Sequence, residues 1–328
     1  MATGKFLVCK GKAGLGNRLL SVLGSILYAE LTQRQLYIDW SDQGYSKDRG
    51  NSFPHFFQWP ELVDPAPIWT SNSIAPEIWK GHLNESVDEL MARHETNENA
   101  DMQAGVNSRY TADFLRIDQP EDVLIRWSYT DEMYFLRRHF KGNFSQLKAL
   151  EDEQILKNLV RDRLKLVPAI RKRIDEFRDA NFSDVNIGLH IRYTDRKNSF
   201  DQYPILVDKI MRKHPNATVF LATDNKNVEK TFRDRYARVA VTEKWSAPDP
   251  GTPLHRTRAC PDKFELGVEA LVDMYLLGHC EYLVYNKTST FGVFASLLSQ
   301  APKENVFETS PLKEEAKNLV RWLKRQFV

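Results

Sequence analysis

The residues best suited to chemistry are His190-Ile-Arg192-Tyr-Thr194-Asp195-Arg196, which close the apolar run Val185–Ile191. His190 and Arg192 stand two apart, so they project to the same side if the strand continues. Arginine keeps its charge at every relevant pH, and its planar fork suits a diphosphate. Histidine donates to or accepts from a base, a sugar or a phosphate oxygen. A strand-end arginine paired with Asp195 is the plain alternative. A second group, Thr288-Ser289-Thr290, lies where the run Glu281–Tyr285 gives way to a helical pattern. Three hydroxyls there either cap the helix or cradle an anion against its free N–H groups. Glu269 and Asp273 stand four apart on one face of the preceding amphipathic segment. Asp273 falls among Leu271, Val272, Met274 and Leu276, and a carboxylate in that setting needs a partner. The N1–H/N2–H2 edge of a guanine would supply one, and so would a cap or a salt bridge.

A fourth group is the glycine turn Gly11-Lys-Ala-Gly14-Leu-Gly16-Asn17-Arg18. Gly11 and Gly16 have the Walker spacing, but Asn17-Arg18 stands where that loop needs Lys-Ser/Thr. Gly14 and Gly16 begin a dinucleotide fingerprint, but Leu19 occupies its third glycine position. What remains is a turn feeding a helix N-terminus, whose N–H groups and dipole favour an anion that Arg18 would reinforce, or a tight turn and nothing more. No metal site emerges. The eight histidines contain no H-x-x-x-H pair, and there is no D-x-D; a diphosphate would fall to arginine and helix termini.

The elements that must hold these groups are readable from periodicity. Phe6–Cys9 reads as a strand, the leucine pattern Leu19–Leu31 as a helix and Leu36–Trp40 as a strand, the opening of an α/β layer fold. From about Ser41 to Gly105 the pattern loosens into an irregular insertion with short helices. Its aromatics, Trp40, Phe53, Phe56, Phe57 and Trp59, either offer platforms to a sugar ring or fill core. Val123–Trp127 is another strand, and a charged helical stretch near Leu147–Phe177, broken near Pro168, reads as the interdomain connection. The second half alternates strand and helix: Val185–Ile191, a helix from Pro204, Ala217–Ala222, a helix near Val228–Arg235, Arg238–Val241, a helix near Asp262–Leu277, Glu281–Tyr285 and a helix from Thr290. That alternation predicts a parallel sheet covered on both faces, which binds ligands outside the carboxyl ends of its strands. A last helix over about Leu312–Phe327 has an apolar face and is expected to dock.

Composition bounds the class. The chain has 328 residues, 42% hydrophobic and 27% charged, with 46 Lys+Arg against 44 Asp+Glu and a net charge of +2. That length predicts two domains, and the balanced charge provides no global field to gather nucleic acid or an anionic membrane. No apolar run reaches the roughly 18–20 residues of a membrane helix. Three cysteines, Cys9, Cys260 and Cys280, at unrelated spacings predict free, buried thiols. The opening Met-Ala-Thr-Gly-Lys-Phe has no signal-peptide stretch, so the cytoplasm is the expected compartment despite five N-x-[ST] sequons, at Asn84, Asn143, Asn181, Asn216 and Asn286.

Taken in order, G-L-G-N-R-L at Gly14–Leu19, H-x-R at the midpoint, an A-T-D strand end and the hydroxyl run near residue 290 resemble the fucosyltransferases that use GDP-fucose without metal. The resemblance is to the α-1,6 group, which includes the rhizobial nodulation enzyme NodZ and the animal core fucosyltransferase. It implies an α/β, GT-B-like fold of two facing Rossmann-like domains. The N-terminal, acceptor-side domain would span 1–165 and the C-terminal, GDP-sugar-binding domain 166–300, with a C-terminal helix over 301–328 packing back toward the first domain. It implies a GDP-fucose donor, an oligosaccharide or glycan acceptor, and no metal or other cofactor. Arg192 would grip the donor β-phosphate. His190 and Asp273 would recognise guanine, Thr288, Ser289 and Thr290 the diphosphate, and Asp224 matches the first acid of T-D-D. Gly14, Gly16, Asn17 and Arg18 would complete the donor site. The family carboxylate that takes the acceptor proton falls at Phe200, with Asp201 next to it as the expected base. Tyr193 and Asn225 depart from the family's H-x-R-R and T-D-D. An α-1,2-type or other GDP-sugar transferase, and a GDP-sugar-binding protein without turnover, are the alternative readings.

Overall fold

The computed structural model describes residues 4–42, 44–46, 50–59, 63–95, 97, 108–192, 202–245 and 259–309. The chain divides into two units, Met1–Val167 with Asp262–Gly267, and Pro168–Pro261 with Val268–Val328.

The first unit is built on β1 (Phe6–Lys10), α1 (Leu15–Thr32), β2 (Gln35–Asp39), the short β3 (Ile74–Ala75), α2 (Val87–Arg93), β4 (Val123–Arg126) and α3 (Asp152–Arg163). Four of its strands form a parallel sheet, in the order β2-β1-β4-β3, and Phe57–Gln58 pairs antiparallel with Lys165–Leu166. Every residue of β1 and β4 is buried, as expected for parallel strands covered on both faces. Alternation then sorts them by face: Phe6, Val8, Val123 and Ile125 join Ile74, Trp79, Leu90 and Trp127 in one core cluster. The helix α1 buries an almost continuous run from Leu15 to Ala29. The insertion expected to be irregular contributes β3, which pairs with β4. Two residues are too short for a period-2 signal to show. Within the insertion Trp40, Phe53, Phe56 and Phe57 are buried, so they fill core; only Trp59 of that group is half-exposed. Trp40 and Phe53 meet edge to face at 5.1 Å.

The second unit follows with α4 (Pro168–Asn181), β5 (Asn186–Ile191), α5 (Gln202–Met211), β6 (Thr218–Thr223), α6 (Lys226–Arg235), β7 (Val239–Ala240), α7 (Lys263–Gly278), β8 (Tyr282–Asn286), α8 (Thr290–Leu298) and β9 (Val306–Thr309). Its parallel sheet runs β9-β8-β5-β6-β7. The strands β5 and β6 are buried throughout and in register from Asn186↔Thr218 to Ile191↔Thr223. Ile187, Leu189, Ile191, Val219, Leu221 and Val284 pack with Tyr203, Val207 and Phe232. Val306–Thr309, within the terminal segment expected after residue 300, form an edge strand of this sheet. The expected terminal helix falls outside the described residues. Among those described, no helix is long and apolar enough to cross a membrane.

Candidate functional site

In the second sheet the chain steps outward from β5 to β6 and β7, then returns to the other side of β5 for β8 and β9. The order therefore reverses between β5 and β8, the point at which open α/β sheets bind ligands. His190 and Arg192 at the end of β5, and Ser289 at the turn from β8 into α8, meet that point. The imidazole of His190 is buried and stacks on Phe291, centroids 4.6 Å apart and planes 13° apart. Its Nδ1 faces the first turn of α8 at Gly292, where a Cβ would lie 3.0 Å from Nδ1 and 2.9 Å from the Tyr285 ring. Glycine is what lets helix and ring approach. Among the described residues Nδ1 has no hydrogen-bond partner. Burial, reinforced by the charges of Arg192 and Lys244, pushes the pKa of His190 down to about 3, so the ring is neutral at physiological pH. Its backbone carbonyl accepts from Tyr203 Oη at 3.1 Å, and that hydroxyl accepts from Thr309 Oγ1 at 3.1 Å, which fixes the end of β5.

The three hydroxyls after β8 separate into different jobs. Thr288 donates Oγ1–H and N–H to Asn286 Oδ1 at 2.6 and 2.8 Å and shapes the turn. Ser289 occupies the N-cap of α8 without making a side-chain cap, and its buried Oγ has no partner among the described residues. Thr290, half-buried, opens the helix. Two unpaired buried polar atoms thus flank one helix N-terminus. Each costs on the order of 1–3 kcal/mol unless a ligand satisfies it.

Asp224 follows β6, half-buried, and Asn225 caps α6, its Oδ1 accepting from Asn227 N and Val228 N. The residue that departs from T-D-D is therefore the helix cap. Thr223, Asp224, Asn225, Lys226, Glu229, Lys244 and Trp245 line a cleft at this edge of the sheet. Asp273 has protein partners on both oxygens: Thr242 Oγ1 donates to Oδ1 at 2.6 Å and Lys244 Nζ pairs with Oδ2. The salt bridge, one of the two readings open for this carboxylate, is present. Glu269, one turn earlier, accepts from the backbone N–H of Trp245 at 3.1 Å. Thr242, Lys244, Trp245 and Phe291 were not singled out by the sequence. Their position directly after β7, or within the hydroxyl run, was the available signal.

The glycine turn belongs to the first unit. Gly14 is the N-cap of α1 and accepts from Asn17 N and Arg18 N; Gly16 and Asn17 fall in the first turn. Arg18, expected to reinforce an anion site, is 4% exposed and forms a two-point ion pair with Asp42, both contacts 2.8 Å. Its Nε donates to Ala13 O at 2.9 Å. A Cβ on Gly11 would lie 2.0 Å from its Nη1, so this glycine seats the guanidinium. The N–H of Leu15 donates to Tyr45 Oη.

Asp201, the expected base, and Tyr193, Asp195 and Phe200 lie outside the described residues. Among the described residues no group of three or more His, Cys, Asp or Glu could hold a metal ion. Cys9, Cys260 and Cys280 are free and buried, and burial raises the thiol pKa of Cys9 and Cys280.

Two Rossmann-like α/β units, the second with an unsatisfied polar site at its switch point, define a GT-B-type fold. Residues 147–320 match the family model for Nodulation protein Z (NodZ), and the chain belongs to that family. It is 27% identical over 324 residues to a Nodulation protein Z of Azorhizobium caulinodans, covering 90% of this chain and 89% of the relative. A crystal structure of NodZ α-1,6-fucosyltransferase soaked with GDP-fucose superposes with a TM-score of 0.58 at 24% identity, covering 90% of this chain and 93% of that one. Fucosyltransferase NodZ from Bradyrhizobium gives 0.59 at 22% identity, over 90% and 94%.

Proposed function

We propose that this protein transfers fucose from GDP-fucose to a saccharide acceptor in an α-1,6 linkage, with inversion and without a metal ion. The observation that carries the reading is the pair of buried atoms, His190 Nδ1 and Ser289 Oγ, that have no hydrogen-bond partner among the described residues, at the N-terminus of α8 beside Arg192. A sheet edge that keeps polar atoms dry and unpaired is set for a ligand that supplies the missing bonds. Arg192 and the N–H groups of α8 suit a diphosphate, and the similar NodZ α-1,6-fucosyltransferase was crystallised and soaked with GDP-fucose. His190 and Asp273 would face the guanine, Thr288 and Thr290 the phosphates, and Asp224 the cleft side of the donor.

In the reaction, the acceptor oxygen attacks the anomeric carbon on the face opposite GDP. The new C–O bond forms as the bond to the β-phosphate oxygen breaks, and GDP leaves with the electron pair. Negative charge growing on that phosphate is met by Arg192 and the helix N-terminus, groups already oriented before the reaction. The acceptor proton passes to Asp201. Domain roles follow the same reading: acceptor side within 1–165, donor side within 166–300. The free, buried cysteines fit a reducing compartment such as the cytoplasm.

The test is thermal unfolding with GDP, GDP-fucose, GDP-mannose and UDP-sugars, each with and without EDTA. A ligand at 100 times its Kd adds about 2.7 kcal/mol. Stabilisation by GDP and GDP-fucose, indifferent to EDTA, followed by fucose transfer to an oligosaccharide, is the expected result. Failure of both GDP ligands to stabilise the protein would overturn the reading.

A further inference from the structure

Lys244 and Asp273 form a largely buried ion pair, 12% and 6% exposed, in which the lysine also lines the cleft with Asp224 and Trp245. Such a pair carries a desolvation cost of several kcal/mol for each ion. In the interior that cost is met by further hydrogen bonds, and Thr242 supplies one to Oδ1. The segment that carries the lysine is held to α7 a second time, through Trp245 N–H and Glu269. Two carboxylates one turn apart therefore fix where the ammonium stands: beside a carboxylate, at a cleft, with three N–H donors of which Oδ2 takes one.

The Watson–Crick edge of guanine presents, in sequence, an acceptor at O6 and donors at N1 and N2. An ammonium beside a carboxylate presents the complement: a donor followed by two acceptor oxygens. Adenine reverses the pattern at both places, setting N6–H2 against the ammonium and the N1 lone pair against the carboxylate. We propose that Lys244 is a specificity-determining residue of the donor site, donating to guanine O6 while the Asp273 carboxylate takes N1–H and N2–H2. This rests on the GDP-sugar reading of the site and adds to it the group that reads position 6. In the free protein the same ion pair holds the Asp273 carboxylate aimed, so the base meets a preformed edge.

The assignment is tested by equilibrium binding of GDP, 6-thio-GDP and ADP to the wild-type protein, Lys244→Met and Lys244→Arg. Replacing O6 by sulfur weakens the acceptor without changing the donors at N1 and N2. The wild-type protein is expected to bind GDP about tenfold or more tightly than 6-thio-GDP, a charge-assisted hydrogen bond being at stake. Lys244→Met should lose about the same factor on GDP, bind GDP and 6-thio-GDP equally, and leave ADP unchanged, while Lys244→Arg restores most of the GDP affinity. The wild-type comparison needs no variant to fold. Equal wild-type affinity for GDP and 6-thio-GDP, or a Lys244→Met protein that binds GDP as tightly as wild type or weakens on ADP in parallel, would overturn the role of Lys244 while leaving the donor site standing. Wild-type indifference between GDP and ADP would overturn the donor reading itself.

Discussion

Both sheets reverse their strand order, and the two reversal points are finished in opposite ways. In the first unit, the glycine turn between β1 and β4 has its partners within the protein. Trp127 Nε1 donates to Gly11 O at 2.9 Å, Lys12 Nζ lies 3.5 Å from the Trp127 ring centroid, and Arg18 is closed onto Asp42. In the second unit, between β5 and β8, His190 Nδ1 and Ser289 Oγ are buried with no partner among the described residues. One turn has its cations and donors committed to structure, and the other holds binding capacity in reserve. Equivalent positions in a repeated architecture therefore do not imply equivalent duties. The polar bookkeeping of each decides.

The largest expected effect that would break this contrast concerns Asp42. Substitution Asp42→Asn leaves the buried Arg18 guanidinium without its counter-charge and should cost about 3 kcal/mol or more of stability, read from denaturant midpoints. If ligand-free stability barely moves, the glycine turn is not the structural device described. Arg192→Ala should act the other way: turnover falls by about two to three orders of magnitude, the loss seen for a key oriented donor to developing charge, with the melting temperature of the free protein nearly unchanged. Near-normal turnover would remove Arg192 from its assigned role.

A smaller effect is a pH dependence carried by His190. Its folded pKa, about 3, lies below the unfolded value of about 6.5. Between those values the unfolded chain binds a proton that the folded chain does not, so stability falls as pH drops through that window, by up to about 1.4 kcal/mol per pH unit. Subtracting the profile of His190→Asn from wild type isolates this slope, and a flat difference between pH 6.5 and 4 would count against the buried neutral ring. The smallest effect sharpens the comparison most. Ser289→Ala removes an unpaired hydroxyl, so the free protein should be as stable or slightly more stable, whereas GDP binding should weaken by about fivefold, one hydrogen bond's net worth. Loss of stability without loss of GDP affinity would show that Ser289 serves the fold.

The periodicity of the second half fixed its four strand–helix alternations, because parallel strands buried on both faces are written as apolar runs and their helices as amphipathic ones. Two short strands escaped. Ile74–Ala75 and Val306–Thr309 are strands only because a neighbour offers its edge, which local pattern does not encode. The chemistry-bearing types were also legible: His190, Arg192, Asp224, Asp273 and the hydroxyl run all sit at or beside the carboxyl edge that the strand pattern predicts. Their partners were not. Whether Arg18 meets a ligand or Asp42, and whether Asp273 stands open or pairs with Lys244, depends on residues 24 and 29 positions away in sequence. The sequence by itself determined which groups exist and which strand ends present them. Only the tertiary structure decided which of them are already satisfied, because hydrogen bonding and desolvation are set by whatever the folded chain brings within about 3 Å.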